Sequence, residues 1–322
     1  MKVEGSKILV TGGCGLIGST TIDQLLKDNP EKIVIYDNLV RGSMHNVEEI
    51  LKDKRVELVK GDIRDVDHVR QVTQGMDAVI HMAALRITAC AADPREAHEV
   101  MCDGTFNVVE AAHLAGVKKI VAASSASIYG LADHFPTKET GHPYDNRTWY
   151  GAAKIMLEGL LRSFADMYGT NYVAFRYFNV YGPRMDIHGK YTEVLIRWME
   201  RIEAGQPPLI LGDGSTSMDF IYIDDIARAN VLGLKSDVTD EVFNVASGVE
   251  TSLLELADAL MRVMGKKLDP EFGPERKVNA VPRRLASTEK AERLLGFKSQ
   301  VDLDEGLERL VTWWRANREH VG

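Results

Sequence analysis

The sequence predicts an α/β fold built on a parallel sheet with helices on both faces, and three observations carry that prediction. Short apolar runs recur through the first half of the chain, segments with helical spacing separate them, and the first run opens into a glycine-rich turn. Strands buried on both faces read as near-continuous apolar runs, and parallel neighbours need a crossover that is usually a helix.

The first element, "KILVTGG", reads as a buried strand entering a turn. "GLIGSTTIDQLLKD" continues at helical spacing, with Ile17, Leu25 and Leu26 on one face. The next strands are "KIVIYD", ending at Asp37, and "VELVKGD", ending at Asp62; then come "AVIHMAA" after Asp77 and "KKIVAAS". Helices are predicted between them over 45–53, 65–74 and 96–115. Residues 151–168, "GAAKIMLEGLLRSFADMY", form a further helix, and "TNYVAFRYFNVYG" returns to strand before "GPR" breaks it. Beyond that break the rhythm loosens, with helices near 190–204, 224–235, 252–264 and 304–318 and short apolar pieces at "LIL" and "EVFNVA". The predicted organisation is a first domain over 1–178 and a smaller C-terminal α/β lobe over 179–322, interleaved with the first.

Composition narrows the class of partner. The chain has 322 residues, 45% hydrophobic and 27% charged, with a formal charge of −8. That balance is globular and argues against a nucleic-acid binder acting through bulk charge. Cys14, Cys90 and Cys102 follow neither a disulfide nor a metal-ligand spacing, so no metal is expected. "MKVEGSKILVTGG" turns glycine-rich too early for a signal peptide, and no apolar run reaches the roughly 18 residues that span a bilayer. The reading is a cytoplasmic protein without a membrane partner.

"TGGCGLIG" spaces Gly12, Gly15 and Gly18 at three-residue intervals between a strand and a helix. A dinucleotide site has a use for each glycine: a tight turn, a backbone surface that can touch a pyrophosphate, and close helix–sheet packing. Asp37, at the end of the second strand, is placed to accept both ribose hydroxyls of an adenosine, which favours NAD over NADP. Arg41 is the counterweight, since a guanidinium can pair with a 2′-phosphate. Asp62 either meets the adenine or caps a loop, and the small residues of "HMAA" either admit the cofactor or pack the core.

Tyr150 and Lys154 stand four apart at a helix start and therefore share a face. A tyrosine is a poor base at neutral pH, but an adjacent ammonium stabilises the phenolate. Alone, such a pair is also what an ordinary helix surface displays. Hydroxyls in "VAASSASIYG" would complete a site by holding a substrate alcohol against the phenolate.

These residues carry a resemblance. From "TGGCGLIG" through "YGAAK", "FRYFNVYGPR" and "DFIYIDDIARA" to "KAERLLGF", the chain resembles the extended short-chain dehydrogenase/reductase family and, within it, the NAD-dependent nucleotide-sugar epimerases of the UDP-glucose 4-epimerase kind. The resemblance implies a Rossmann-type first domain, NAD as cofactor, a UDP-sugar substrate, inversion at C4 through a transient keto-sugar, and a homodimer. It places the catalytic set on Ser125, Tyr150 and Lys154. It places the cofactor on Gly12, Gly15, Leu16, Ile17 and Gly18, on Asp37 and Asn38, on Asp62 and Ile63, and on Met82, Ala83 and Ala84, with Tyr150 and Lys154. Ser125 and Ser127 would contact the sugar and Asn179 the diphosphate, while Ser124 is the more structural serine. "KYTEVLIRWM" would cover the nucleotide and "PPLILGDG" wrap its base. Arg184 either lends charge near the substrate or braces its loop.

The pattern also discriminates. Family dehydratases and decarboxylases usually carry an acidic residue just after the catalytic hydroxyl, because removing water needs a proton donor and a base. Here Ala126 and Ser127 follow Ser125, which favours epimerisation over another nucleotide-sugar reaction, a dehydratase or reductase. Keeping the full acid–base set argues against a non-catalytic nucleotide-binding protein.

Three positions depart from the family. Met218 precedes Asp219 where relatives place a phosphate-binding arginine, and Met101 stands where they commonly place asparagine. "ERKVNAVPRRLAST" replaces an "RPGD"-like stretch; Arg276 is the first candidate there for the phosphates and Arg283 the second, against a solvated basic loop. An arginine at 283 or 284 would also suit a carboxylated sugar.

Overall fold

The structure, a computed structural model, describes residues 1–187, 194–275 and 280–319. The chain begins with β1 (Lys7–Thr11), α1 (Leu16–Leu26), β2 (Lys32–Asp37), β3 (Val56–Lys60), α2 (Val66–Thr73) and β4 (Ala78–His81). It continues through α3 (Ile87–Ala92), α4 (Pro94–His98), α5 (Thr105–Leu114), β5 (Lys119–Ser125), α6 (Trp149–Tyr168) and β6 (Tyr172–Tyr177). Then come β7 (Asn179–Tyr181), α7 (Val194–Glu203), β8 (Leu209–Leu211), β9 (Ser217–Tyr222), α8 (Ile223–Lys235) and β10 (Glu241–Val245). The chain closes with β11 (Glu250–Ser252), α9 (Leu253–Val263), β12 (Glu271–Gly273), α10 (Glu289–Leu295) and α11 (Leu303–Asn317).

Seven strands form one parallel sheet in the order β10-β6-β5-β4-β1-β2-β3. Its first six strands in sequence have the doubly wound Rossmann order, with the crevice between β1 and β4 at the switch point. The alternation of side chains explains why both faces are covered. Ile8 and Val10 pack with Ile22 and Leu25 of α1 on one face, and Leu9 packs with Val108 and Val109 of α5 on the other. Burying each such side chain contributes roughly 1.5–3 kcal/mol. The seventh strand, β10, comes from the C-terminal part of the chain and pairs with β6. Two small sheets, β11-β9-β7 and β12-β8, make up the rest of the strand structure among the described residues.

Some elements differ from the sequence expectation. Residues 45–53 form two short 3-10 turns, Met44–Asn46 and Ile50–Lys52, rather than a helix. The Ser43 N–H and Asn46 Nδ2 both bond to the Cys14 carbonyl, at 3.1 and 3.0 Å, which pins the segment against the glycine turn. The predicted helix over 96–115 breaks into α4, a wide π turn at Glu99–Gly104, and α5. That widened turn buries Met101 and Cys102 in a cluster with Cys90 of α3 and Ala153 of α6. The strand through "YVAFRYFNVY" is two strands: β6 stays in the main sheet, the Phe178 N–H bonds the Val245 carbonyl at 3.1 Å, and β7 turns away to pair with β9. The three cysteines are free and buried. Among the described residues no helix is long and apolar enough to cross a membrane.

Candidate active site

The glycine turn leaves β1 with Gly12 at φ +71, in the left-handed region that glycine tolerates. A Cβ at Gly12 would lie 2.7 Å from the Ala83 nitrogen, and one at Gly18 would lie 2.4 Å from the Gly12 carbonyl oxygen. Only a chain without side chains at these positions can bring β1, β4 and α1 this close. Helix α1 starts at Gly15 with no side chain capping it, so its first-turn N–H groups are available to an anion. In front of the turn lies a cavity of about 900 Å³, lined by Gly12, Gly15, Leu16, Ile17 and Gly18 and by residues from the ends of β2, β3 and β4. Backbone donors at a bare helix start and a side-chain-free turn fit the pyrophosphate of a dinucleotide.

Asp37 lies buried on this cavity wall, its carboxylate accepting the Cys14 N–H at 3.0 Å and the Leu39 N–H at 2.8 Å. Burial pushes its pKa up, and those two hydrogen bonds act the other way. Asp62 accepts from Arg64 Nε at 3.0 Å and Nη2 at 2.8 Å and from Asn38 Nδ2 at 2.9 Å. The Arg64 bonds hold it well below the usual carboxylate range. Asp62 therefore braces its own loop while also facing the cavity, with Asn38 and Ile63 beside it. Met82, Ala83 and Ala84 line the same wall, and the Met82 N–H bonds the Thr11 carbonyl at 3.0 Å. His81 is buried between the Thr11 hydroxyl at 2.8 Å and the Thr105 hydroxyl at 3.2 Å; burial pushes it down to about 3, so it stays neutral. Met101, where relatives commonly place asparagine, accepts the Leu85 N–H on its sulfur at 3.2 Å.

Strand β5 ends at Ser125, whose hydroxyl accepts the Ser127 N–H at 3.1 Å as the chain enters a 3-10 turn. Helix α6 starts opposite, with Thr148 capping the Gly151 N–H at 3.1 Å. A Cβ at Gly151 would sit 2.7 Å from the Ser127 carbonyl oxygen, so this glycine lets the helix start approach the serine turn. The approach brings the Tyr150 phenol within hydrogen-bonding reach of the Ser125 hydroxyl. Lys154 is buried, its Nζ donating to the Ala123 carbonyl at 2.6 Å and lying 5.7 Å from the centre of the Tyr150 ring.

The electrostatics here differ from the sequence expectation. Burial pushes the Tyr150 phenol up rather than down; the Ser125 hydrogen bond opposes it, followed by the charges of Arg41 and Arg284. Burial also brings Lys154 down to about 8, with Cys90 and Glu158 acting against it. The lysine's ammonium is thus engaged with β5 while two arginines supply charge to the phenol.

On the substrate side, Ser127 is buried beside Ser125, and Asn179 of β7 donates from Nδ2 to the Asp219 carbonyl at 3.1 Å. Arg283 stays apart from Tyr150: it makes a bidentate pair with Glu250, both bonds 2.7 Å, and stacks over Phe135 at 4.4 Å. Its neighbour Arg284 is the arginine whose charge reaches the phenol. Arg184 lines the cavity and also pairs with Asp23 at 2.6 Å. Arg276 and the start of "KYTEVLIRWM" lie outside the described residues. Sequence reasoning passed over Arg41 as a group acting on the phenol and Glu158 altogether, although Glu158 continues the four-residue spacing of Tyr150 and Lys154.

Residues 8–246 match the model of the NAD dependent epimerase/dehydratase family. The chain belongs to that family. NAD is accordingly its cofactor. A UDP-glucose 4-epimerase of Mycolicibacterium smegmatis is 36% identical over 312 residues, 96% of this chain and 98% of that one. Among solved structures, a UDP-N-acetylglucosamine 4-epimerase from Methanobrevibacter ruminantium, in complex with UDP-N-acetylmuramic acid, matches with a TM-score of 0.92 and 33% identity, over 98% of this chain and 99% of that one. A dTDP-glucose 4,6-dehydratase from Streptomyces venezuelae with NAD bound matches with a TM-score of 0.90 and 28% identity, over 97% and 98%. The chain is an enzyme whose relatives include UDP-sugar 4-epimerases and a dTDP-glucose 4,6-dehydratase.

Proposed function

We propose that this enzyme inverts C4 of a UDP-linked sugar through a transient 4-keto sugar. The observation that carries this reading is the end of β5: Ala126 and Ser127 follow Ser125, and both are buried in the turn facing Tyr150 with no carboxylate between them. Elimination of water would need a proton donor for the departing hydroxyl, and alanine cannot supply one. The similarity to UDP-sugar 4-epimerases over nearly the full length supports the same reading and the choice of UDP.

When bound, NAD supplies a hydride acceptor that later returns the hydride, and its oxidised ring carries a positive charge. Tyr150, as phenolate, takes the proton of the 4-hydroxyl and gives it back after the keto-sugar has turned. Ser125 holds that oxygen against the phenol, and Ser127 contacts the sugar beside it. Arg41 and Arg284 lower the cost of the phenolate. Lys154 holds β5 by the Ala123 carbonyl and keeps a positive charge behind the ring. Asp37 takes the adenosine ribose hydroxyls, the bare start of α1 takes the pyrophosphate, and Asn179 faces the substrate diphosphate.

The test is product analysis by NMR after incubation with UDP-glucose, UDP-N-acetylglucosamine and UDP-glucuronate, without added NAD. Interconversion of one 4-epimer pair is expected. A lasting keto or deoxy product, or no exchange across the panel, overturns the reading.

A further inference from the structure

Helix α6 grips strand β5 at three successive residues. Tyr150, Lys154 and Glu158 stand four apart and so form one stripe along the helix, drifting by only about 40° per step. Lys154 bonds the Ala123 carbonyl, Glu158 accepts the Ser124 hydroxyl, and Tyr150 meets the Ser125 hydroxyl. The middle grip has no place in the chemistry above, yet it is the most heavily built of the three.

Glu158 is fixed from a second side. Arg176 stands in register with Ser124 on the neighbouring strand β6 and donates to Glu158 from Nε at 2.9 Å and Nη2 at 2.7 Å. The side chains of this pair are only 9% and 12% exposed, so little water competes for either charge. Arg176 Nη1 also donates to the Tyr129 hydroxyl and the Glu139 carbonyl, both at 2.7 Å. The Tyr129 hydroxyl in turn donates to Asn244 Oδ1 at 2.7 Å. Asn244 stands in register with Arg176 on β10 and donates from Nδ2 to the Thr137 carbonyl at 2.9 Å and the Ser287 carbonyl at 3.1 Å. A row across three strands, Ser124, Arg176 and Asn244, thus ties the catalytic strand end to the segment that carries Arg284.

We propose that Glu158 is a positioning residue: by clamping Ser124 between α6 and Arg176 it sets the Ser125 hydroxyl against the Tyr150 phenol. A carboxylate suits this place because it alone accepts from the serine and from both guanidinium nitrogens at once. The proposal rests on the reading of Ser125 and Tyr150 as the site of proton transfer.

The test compares Glu158→Gln and Ser124→Ala with the wild-type holoenzyme in two measurements. In turnover of the UDP-sugar that the wild type inverts, Glu158→Gln is expected to lose ~10- to 100-fold in kcat with KM within about twofold, because a displaced hydroxyl weakens the reacting geometry rather than binding. The second measurement needs no sugar: a spectrophotometric titration of the phenol, taken as the difference between each protein and its Tyr150→Phe counterpart. The Ser125 hydrogen bond lowers the phenol's pKa. Its misplacement therefore moves the titration upward, by about half a pH unit or more. Cys90, Arg41 and Arg284, which also act on the phenol, are unchanged in both variants. Ser124→Ala removes one hydroxyl and leaves the ion pair intact; it is expected to move both measurements in the same direction by less, and it decides the matter alone if Glu158→Gln does not fold. Wild-type kcat and an unmoved phenol in a folded variant overturn the proposal. If no sugar in the panel is turned over, the epimerase reading fails while the titration still judges Glu158.

Discussion

The glycine-turn side and the phenol side of this site are built from different materials. Around the glycine turn the surface is backbone: a side-chain-free approach of Gly12 to Ala83, a helix start at Gly15 without a capping side chain, and an aspartate held by two backbone N–H groups. Around the phenol the surface is side chains drawn from distant segments, including Ser125, Arg41 and Arg284. A backbone surface is fixed once the strand and helix form, whereas the side-chain surface depends on the register of every segment that contributes to it. The two should therefore fail in different ways.

The largest loss is expected at the phenol side. Tyr150→Phe removes the group proposed to accept the proton and should cut turnover by ~10³-fold while leaving NAD bound. Cofactor content of the purified variant and its turnover together test this; near-normal turnover would remove Tyr150 from the chemistry. On the glycine-turn side, Gly12→Ala sets a methyl 2.7 Å from the Ala83 nitrogen at a φ that alanine resists. NAD retention should fall ~100-fold or more, since the backbone there has no rotamer with which to yield. If the variant keeps its NAD, the turn is not the rigid surface described here.

The same contrast explains what the sequence made legible. Gly12, Gly15, Gly18 and Asp37 announce themselves because a βα turn needs those residue types at that spacing, and Tyr150 with Lys154 because a helix puts i and i+4 on one face. Residues 45–53 misled because their apolar spacing, Val47 and Ile50, serves two short turns, the first of them tied to Cys14. The direction of the phenol's shift was not legible either, because it depends on how deeply the ring is buried. The arginines were least legible of all. Arg283 and Arg284 are neighbours of identical type, and only the bridge of Ser217 to Arg283 and the Arg284 N–H bond to the Ser217 carbonyl at 2.9 Å decide which faces outward.

That pair gives the sharpest test of the comparison, with a smaller effect. Arg284→Ala removes a charge that favours the phenolate and should lower turnover about tenfold and shift the phenol's titration upward. Arg283→Ala breaks an exposed pair with Glu250 and should leave turnover within about twofold. Equal losses in the two variants would mean that the loop rearranges around its ligand and that register does not sort the two arginines.

The smallest effect is expected from pH, and it separates the role of Lys154 in the chemistry from its cost to the fold. Burial brings the Lys154 ammonium to about 8, well below an ordinary lysine near 10.4. As pH rises through about 8 the ammonium gives up its proton, and the positive charge behind the Tyr150 ring goes with it; because the phenol's own pKa is raised, kcat/KM should climb with pH below about 8, as the phenolate fraction grows, and level off above it rather than climb on toward 10. Stability changes above that point. Because the folded pKa lies below the unfolded one, the folded state binds fewer protons between about 8 and 10.4, and the cost of burying this charge fades as pH climbs through that window. Lys154→Met should therefore lose the levelling of kcat/KM near pH 8, and its stability relative to the wild type should be most favourable below about pH 8 and decline above it. Denaturant midpoints of the two proteins at pH 7 and pH 10 measure that difference. A gap between them that does not change with pH would mean that Lys154 keeps its proton across the range, and that the carbonyl of Ala123 and the carboxylate of Glu158 outweigh the burial of the ammonium.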